Sequence, residues 1–375
     1  MEVTVHTDDL AKVLRLVQFL TERKSTVPIL GTILLRADQK GFSISGTDLE
    51  LGGICYCRAT VKQAGSVAVP VHRLFEYVKM LPDGDLLLKE QAAGWLGLSC
   101  ARSRSRIAGS AVDSYPELPK PPREGVSLSC GLLARLAEKV IFAISTEQGS
   151  PNLAGALLKL EKSGVTMVAT DGHRLALAAA TVDLPGVEEP IEVFVPKRAL
   201  SAFLRFAEGR NDQPVRCTVT ENHIFFVWQE RLLLSRKLSG AFPDYPRVLP
   251  EQYSRSLSLD RGELRASIER VSRFAEERTR CMVVEVSPGQ LALQAEDSNV
   301  GRSEEVLPVA YTDEPVRIGF NASYLTDFLS HSEHGQVRFL FKDGSSAAEL
   351  QPEEGSGNFD YRYVVMPMRV PSSAV

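Results

Sequence analysis

One plan of residues occurs three times along this chain of 375 residues, and that repetition limits the fold more than any single motif does. Each copy starts with an apolar stripe at helical spacing: Leu10, Val13, Leu14 and Val17 in the first, Leu133, Leu136, Ala137, Val140 and Ile144 in the second, Leu264, Ile268, Val271 and Ala275 in the third. Two strand-like runs then flank an acidic turn, in ISGTDLELGG, MVATDGHRLAL and LQAEDSNVGRS, which brings Asp48, Asp171 and Asp297 into register at separations of 123 and 126 residues. A short strand entering a second helix follows, in VPVHRLFEYVKML, VPKRALSAFLRF and GFNASYLTDFLS, with Val69, Val195 and Phe320 spaced by 126 and 125 residues. Each copy closes in further strands.

A unit of about 125 residues is far longer than a solenoid repeat and holds helices and strands enough for its own core, so the pattern reads as domain triplication. Boundaries are expected in the proline-rich PELPKPPREG (Pro116 to Gly125) and near RVLPEQ (Arg247 to Gln252), giving domains 1–123, 124–250 and 251–375. Two helices backed by strands of alternating apolarity predict an α+β fold, helices on one side and antiparallel sheet on the other.

The formal charge of −4, taken alone, argues against a nucleic-acid partner, but the two signs are segregated. Beside the apolar stripes the first helices carry Lys12 and Arg15, with Arg23 and Lys24 just beyond, then Arg135 and Lys139, then Arg265, Arg270, Arg273 and Arg278. The second helices add Arg73, Lys79, Lys197, Arg198 and Arg205, while acidic pairs such as Glu188-Glu189 and Glu353-Glu354 fall in loops. For one helix a solvated polar face is the ordinary explanation; recurrence in all three copies favours a basic surface that meets phosphates. No base-reading motif, zinc finger or aromatic stacking ladder accompanies it, so contacts are expected to ignore base sequence.

Six cysteines form no C-x-x-C pair and read as free thiols of a reducing compartment, with no metal and no cofactor expected. The start, MEVTVHTDDL, lacks the basic and apolar regions of a signal peptide, and no apolar run approaches the roughly 20 residues that span a bilayer. A cytoplasmic protein with no membrane partner is expected.

In VATDGHRLAL (Val168 to Leu177) the pair Asp171-Gly172 favours the positive φ values of a tight hairpin turn. His173 beside Asp171 invites a general-base reading, and His331 with His334 a metal reading, but neither has a nucleophile or a full ligand set. A hairpin is the simpler account. There is no G-x-x-x-x-G-K-[ST] loop, so no ATP chemistry is expected of this chain.

Short segments from end to end resemble the bacterial DNA polymerase III β subunit, the β sliding clamp: TVPIL (Thr26 to Leu30), GTDLE (Gly46 to Glu50), LPDG (Leu81 to Gly84), TDGHRLA, FPDYPRVLP (Phe242 to Pro250), GFNASY (Gly319 to Tyr324) and YVVMPMRV (Tyr363 to Val370). The resemblance implies a non-catalytic processivity factor whose three clamp domains close with a second copy, head to tail, as a homodimeric ring around duplex DNA. It implies a clamp loader, a replicative polymerase and repair proteins as partners, and a DNA-bound, nucleoid-associated location. A paralogue with a specialised repair or resistance role is the alternative. Lys24, Arg73, Lys197 and Arg198 match basic DNA-facing positions of the family.

The same resemblance implies a groove for short extended partner peptides, matching Leu153, Thr170, Gly172, His173, Arg174, Leu175, Pro243, Arg247, Val248, Asn321, Tyr324 and Val364, Val365, Met366, Pro367, Met368, Arg369 and Val370. Apolar walls would accept leucine or phenylalanine side chains, with Arg174, Arg247 and Arg369 at the rim and flexible Met366 and Met368 serving varied partners. At the ring seam, Arg102, Arg104 and Arg106 are expected to face Glu304 and Glu305, with Ile107 and Phe274 as apolar anchors. Departures from family members stand at Ser105, Thr279, Ser345 and Ala347, in the loop Thr146 to Asn152, and in the tail Pro371 to Val375, which would partly cover the groove.

Overall fold

In the computed structural model the described residues are 1–22, 26–91, 94–147, 149–250, 252–333, 335–353 and 357–370. Of the residues singled out above, Arg23, Lys24, Gln148, His334, Glu354 and Pro371 to Val375 lie outside them.

The first copy runs β1 (Glu2–His6), α1 (Thr7–Val17), β2 (Thr32–Asp38), β3 (Gly41–Thr47), β4 (Leu51–Cys57), β5 (Ala59–Gln63), β6 (Gly65–Pro70), α2 (Val71–Lys79), β7 (Asp85–Gln91), β8 (Trp95–Cys100) and β9 (Ser103–Ala108). The second runs β10 (Val126–Ser129), α3 (Cys130–Val140), β11 (Gly155–Glu161), β12 (Gly164–Thr170), β13 (Arg174–Thr181), β14 (Ile191–Pro196), α4 (Lys197–Ala207), β15 (Pro214–Val219), β16 (His223–Val227) and β17 (Arg231–Arg236). The third runs β18 (Arg255–Asp260), α5 (Arg261–Val271), β19 (Cys281–Ser287), β20 (Gln290–Asp297), β21 (Gly301–Pro308), β22 (Val316–Asn321), α6 (Ala322–His331), β23 (Gln336–Phe341), β24 (Ala348–Pro352) and β25 (Phe359–Val365). Apart from the additional β5, the three orders are the same.

The expected helix faces form. Leu10, Val13, Leu14 and Val17 are buried on α1, whose first turn carries Asp8 and Asp9 and whose last turn carries Arg15, each sign suited to its end of the helix dipole. Asp260 caps α5 by accepting from Glu263 N–H at 2.8 Å, and Asn321 caps α6 by accepting from Ser323 N–H at 3.0 Å. Two stripe residues fall off their helices. Ile144 and Ala275 follow 3-10 turns (Ile141–Ala143 and Ser272–Phe274) in extended conformation, because the tightened last turn swings the chain out of the helix before it reaches them.

The acidic turns are alike in chemistry but not in the expected geometry. Asp48 accepts from Glu50 and Leu51 N–H, Asp171 from His173 and Arg174 N–H, and Asp297 from Asn299 N–H, so each carboxylate holds its own hairpin. Positive φ occurs at Gly172 (89°) and, in the first copy, at Leu49 (80°), but not at both residues of the Asp-Gly pair. The loop is therefore a three-residue connection closed by the Asp side chain.

The strands form four antiparallel sheets, in the orders β5-β1-β7-β8-β9, β10-β15-β16-β17-β4-β3-β2-β6, β14-β11-β12-β13-β25-β24-β23-β18 and β21-β20-β19-β22. Each copy thus contributes to two sheets rather than backing its helices with one. The chain divides into two compact units, Met1–Ala134 with Arg198–Lys237, holding the first two sheets, and Arg135–Lys197 with Leu238–Val375, holding the other two. The central sheet of each unit joins strands of two copies: the last strand of one copy pairs with the strand leaving the acidic turn of the copy before it. In the first unit Leu234 of β17 lies opposite Gly52 of β4; in the second, Val364 of β25 lies opposite Leu175 of β13.

Both junctions keep one register. Gly52, Leu175 and Arg302 hold a common place, each paired with the residue before an acidic turn, Thr47, Thr170 and Glu296. Leu234, Val364 and Arg106 hold another, paired with Phe225, Glu349 and Gly97. Those three in turn face Thr218, Leu340 and Lys89, each four residues past the partner of the residue that precedes the first helix of its copy. Among the described residues the outer strands of the four sheets each have a neighbour on one side only; of the last strands and the strands leaving an acidic turn, these are β9 and β21.

Candidate functional site

Pairing of β25 onto β13 creates an apolar floor in the second unit. Val168, Leu175, Leu177 and Val364 are buried together, and Phe242, Tyr245, Leu249, Ala179 and Ala347 pack on them. Period-2 alternation puts these residues on one sheet face, and the segment FPDYPRVLP crosses it. Around this floor stand the groove residues expected from sequence. Leu153 is half-buried facing Gly172, Pro243 is half-buried, and Val248 is exposed. Met366 N–H donates to His173 O at 2.9 Å and Met368 N–H to Gly319 O at 2.7 Å, which draws the YVVMPMRV strand end past the acidic turn. Asn321 caps α6 and Tyr324 sits in its first turn, and Pro367 and Val370 are half-buried beside exposed Met366 and Arg369.

Two expectations are corrected here. Leu175 and Val364 are buried and form floor rather than walls, while Val365, buried next to Val364 on the strand, falls on the other face of the sheet and is not a groove residue. Arg174 is not a rim cation: its side chain is 10 % exposed and donates to Asp171 Oδ2 (2.9 Å), Asp327 Oδ2 (2.5 Å) and Phe142 O (2.8 Å). Arg247 does lie at the surface, paired with Asp244 at 2.7 Å. Phe242, Tyr245, Leu249, Phe142 and Asp327 were missed; the aromatic and leucine positions in FPDYPRVLP were the available signal, whereas nothing local marks Phe142 or Asp327.

The helix cations divide in two. Arg15, Arg73, Arg205, Arg273 and Arg278 are exposed, and Lys12 is exposed in an i, i+4 pair with Asp8 at 3.0 Å. Arg205 lies over the Phe19 ring at 4.6 Å. Arg198 is paired with Asp48, and burial pulls its pKa down, as it does that of Lys197, which donates to Ile144 O at 3.1 Å. Lys139 corrects the sequence reading outright. It is 5 % exposed, ion-paired with Glu333 at 2.7 Å and bonded to the His331 carbonyl, so it cannot offer its charge to phosphate. Arg135 is half-buried, 3.3 Å from Glu333 and stacked on Phe359 at 4.0 Å.

On the edge strands the alternation separates neighbours. Arg104 and Arg106 of β9 are exposed on one face, with Ile107 half-buried on the other and Arg102 in the turn before the strand. Arg106 lies 5.0 Å from the Trp95 ring. On β21, Arg302, Glu304 and Val306 are exposed, while Glu305 turns inward to accept from Ser267 and Arg270, which hold its pKa below the carboxylate range. Glu305 is therefore committed within the chain, and Glu304 is the acidic residue on the outward face. Phe274 is half-buried beside Gly301.

The enzyme readings find no support in this geometry. Both Asp171 oxygens are engaged by the turn and Arg174, and His331 stacks on Phe142 at 4.6 Å with Nδ1 2.8 Å from Asp327 O. No group of three or more potential metal ligands occurs among the described residues. Five cysteines are buried, and burial pushes the thiols of Cys55, Cys57 and Cys217 up to about 12.

Comparison with known proteins matches residues 1–119, 127–244 and 246–369 to the N-terminal, central and C-terminal domains of the DNA polymerase III beta subunit. The beta sliding clamps of Caulobacter vibrioides and Pseudomonas putida are each 32 % identical, over 99 % of this chain and 100 % of theirs. Among solved structures, the Pseudomonas aeruginosa subunit beta superposes with a TM-score of 0.92 at 30 % identity, and the sliding clamp of that organism bound to griselimycin with 0.93 at 30 %, both covering 99 % of this chain and 100 % of that one.

Proposed function

The chain belongs to the DNA polymerase III beta subunit family, the beta sliding clamps, and from that premise we propose that it is a DNA polymerase processivity factor: a homodimeric ring that slides on duplex DNA and tethers the polymerase through a peptide groove. The clamp of this family is a non-catalytic subunit. Full-length likeness to beta sliding clamps favours the replicative role over a specialised paralogue.

The observation that carries the ring is the junction rule. Two junctions inside the chain pair a last strand with a post-turn strand in one register, and β9 and β21 are the two strands left over. Applied to two copies, the rule sets Arg302 opposite Arg106 of the second copy, and Glu304 opposite its Arg104. Head-to-tail pairing of this kind closes a ring and covers the free edges of β9 and β21. It gives the seam one opposed ion pair and one like-charged pair, so apolar contact by Ile107 and Phe274 supplies more of the closure than charge does. Domains 1–123, 124–250 and 251–375 are the units so joined.

Arg15, Arg73, Arg205, Lys12, Lys197 and Arg198 are the DNA-facing cations of this reading, together with Lys24, which lies outside the described residues. Their contacts are to phosphate, so Arg73→Ala lowers the slope of log affinity against log salt by about 0.9, whereas Lys139→Ala lowers stability and leaves the slope unchanged. The groove over Val168, Leu175, Leu177 and Val364 takes extended peptides of the clamp loader, polymerase and repair proteins, and griselimycin is a probe for it. No helix among the described residues is long and apolar enough to cross a membrane, and a cytoplasmic, DNA-bound location follows from the role.

The deciding experiment loads the protein onto a circular primed template with a clamp loader and then linearises the circle. Release only after linearisation is expected of a ring. Retention on linear DNA that fades with salt would mean ordinary electrostatic binding and end the topological reading.

A further inference from the structure

We propose that Arg174 is a positioning residue for the peptide groove, holding three of its parts in one geometry without touching the peptide; the proposal rests on the groove reading above. Its guanidinium has a fixed fork of donors, and each nitrogen already has a partner on a different piece of chain: Nε on Asp171 Oδ2 (2.9 Å), Nη1 on Asp327 Oδ2 (2.5 Å) and Nη2 on Phe142 O (2.8 Å). Its flat face lies 4.3 Å from the centroid of the Tyr324 ring. No other side chain described around the groove links as many elements.

The links to Asp171, Asp327 and Tyr324 lead to elements that carry the groove. Asp171 Oδ1 accepts from His173 and Arg174 N–H, both at 3.0 Å, and Thr170 Oγ1 donates to Arg174 O at 2.6 Å while accepting from Gly172 N–H at 3.1 Å. Fixing Asp171 therefore fixes the edge made by Thr170, Gly172 and His173. Asp327 lies one turn beyond Tyr324 on α6, so the Arg174 pair with Asp327 and its stack on Tyr324 lock the first two turns of that helix against the hairpin. Tyr363 OH donates to Tyr324 O at 2.9 Å, joining the strand that carries Val364 to the same cluster. Lysine in place of Arg174 would keep the charge and lose the fork, so the two edges could part. A groove shaped for apolar side chains is sensitive to such loosening.

Asp327 and Phe142 become functional residues on this account, though neither borders the peptide. The test measures affinity for a labelled, uncharged peptide of alternating leucine and serine ending in phenylalanine, at low and high salt. The wild type, Arg174→Lys, Asp327→Asn and the double variant are compared, with retention on circular DNA recorded for each. The expected result is a loss of about tenfold in each single variant, equal at both salt concentrations, with the double variant within about twofold of Arg174→Lys and DNA retention intact. Losses that add, losses confined to low salt, or unaltered binding would each overturn the proposal. If Arg174→Lys fails to fold, Asp327→Asn alone must still weaken binding, since its carboxylate is half-exposed and its loss leaves the core filled. A wild type that does not bind the peptide removes the groove reading, and this proposal with it.

Discussion

The hairpin around Asp171 and its counterpart around Asp48 share a backbone plan and differ in what fills the sheet face behind the turn. In the second copy the face presents Val168, Leu175, Leu177 and, from the neighbouring strand, Val364. In the first copy the same places hold Ser45, Gly52, Ile54 and Leu234. Both faces are crossed by a following segment of the chain, but in the first copy it sits closer: Tyr115 OH donates to Ser45 O at 3.0 Å, and Leu118 lies so near Gly52 that an added Cβ would stand 2.8 Å from Leu118 Cδ2. In the third copy the places are Gln294, Arg302 and Glu304, joined by Gln294 Nε2–H to Glu304 Oε1 at 3.2 Å and Arg302 to Glu304 at 3.5 Å. One framework thus gives a face closed over a glycine, a larger apolar face crossed by Phe242, Tyr245 and Leu249, and a charged edge, and side-chain volume and charge at four positions decide which.

The comparison breaks most sharply at Leu175. Leu175→Ala removes a buried floor residue and is expected to cost about 2–5 kcal/mol of stability, read by denaturant unfolding, and to abolish peptide binding measured by anisotropy. If peptide affinity survived, the floor would not be the recognition surface. The reciprocal change, Gly52→Leu, forces a side chain into the place of Leu118; about 1–3 kcal/mol of destabilisation is expected, with peptide affinity unchanged. An effect on peptide binding there would show that the closed face also serves partners. Smallest is Glu304→Lys on the charged edge. Loss of one exposed pair weakens the dimer by about 0.2–1 kcal/mol, measured by sedimentation at low protein concentration, and Arg104→Glu in the same chain restores it. No change in the dimer constant would remove the Arg104 to Glu304 register.

Much of this was legible in the chain because helix and strand periodicities are local properties of sequence. The stripe Leu10, Val13, Leu14, Val17 needs no knowledge of what it packs against, and the recurrence of Asp48, Asp171 and Asp297 reports a turn closed by its own carboxylate. The misreadings have a common cause. Lys139 sits on a helix like its exposed neighbours, but Glu333 and the His331 carbonyl, nearly two hundred residues away, take its ammonium into the interior. Glu305 and Glu304 are adjacent in sequence, yet opposite faces of β21 send one to Arg270 and the other outward.

Sequence by itself determined the three copies, their α+β elements, the family and the segments proposed to border the groove, because repetition, apolar period and turn chemistry are written within each 125-residue stretch. Tertiary structure decided which cations stay available, that Arg174 is tied inward rather than offered at the rim, and that a sheet continues from one copy into the next with one register. Those outcomes depend on which distant carboxylate, carbonyl or strand edge meets a side chain when the copies pack. A local pattern carries no record of that partner.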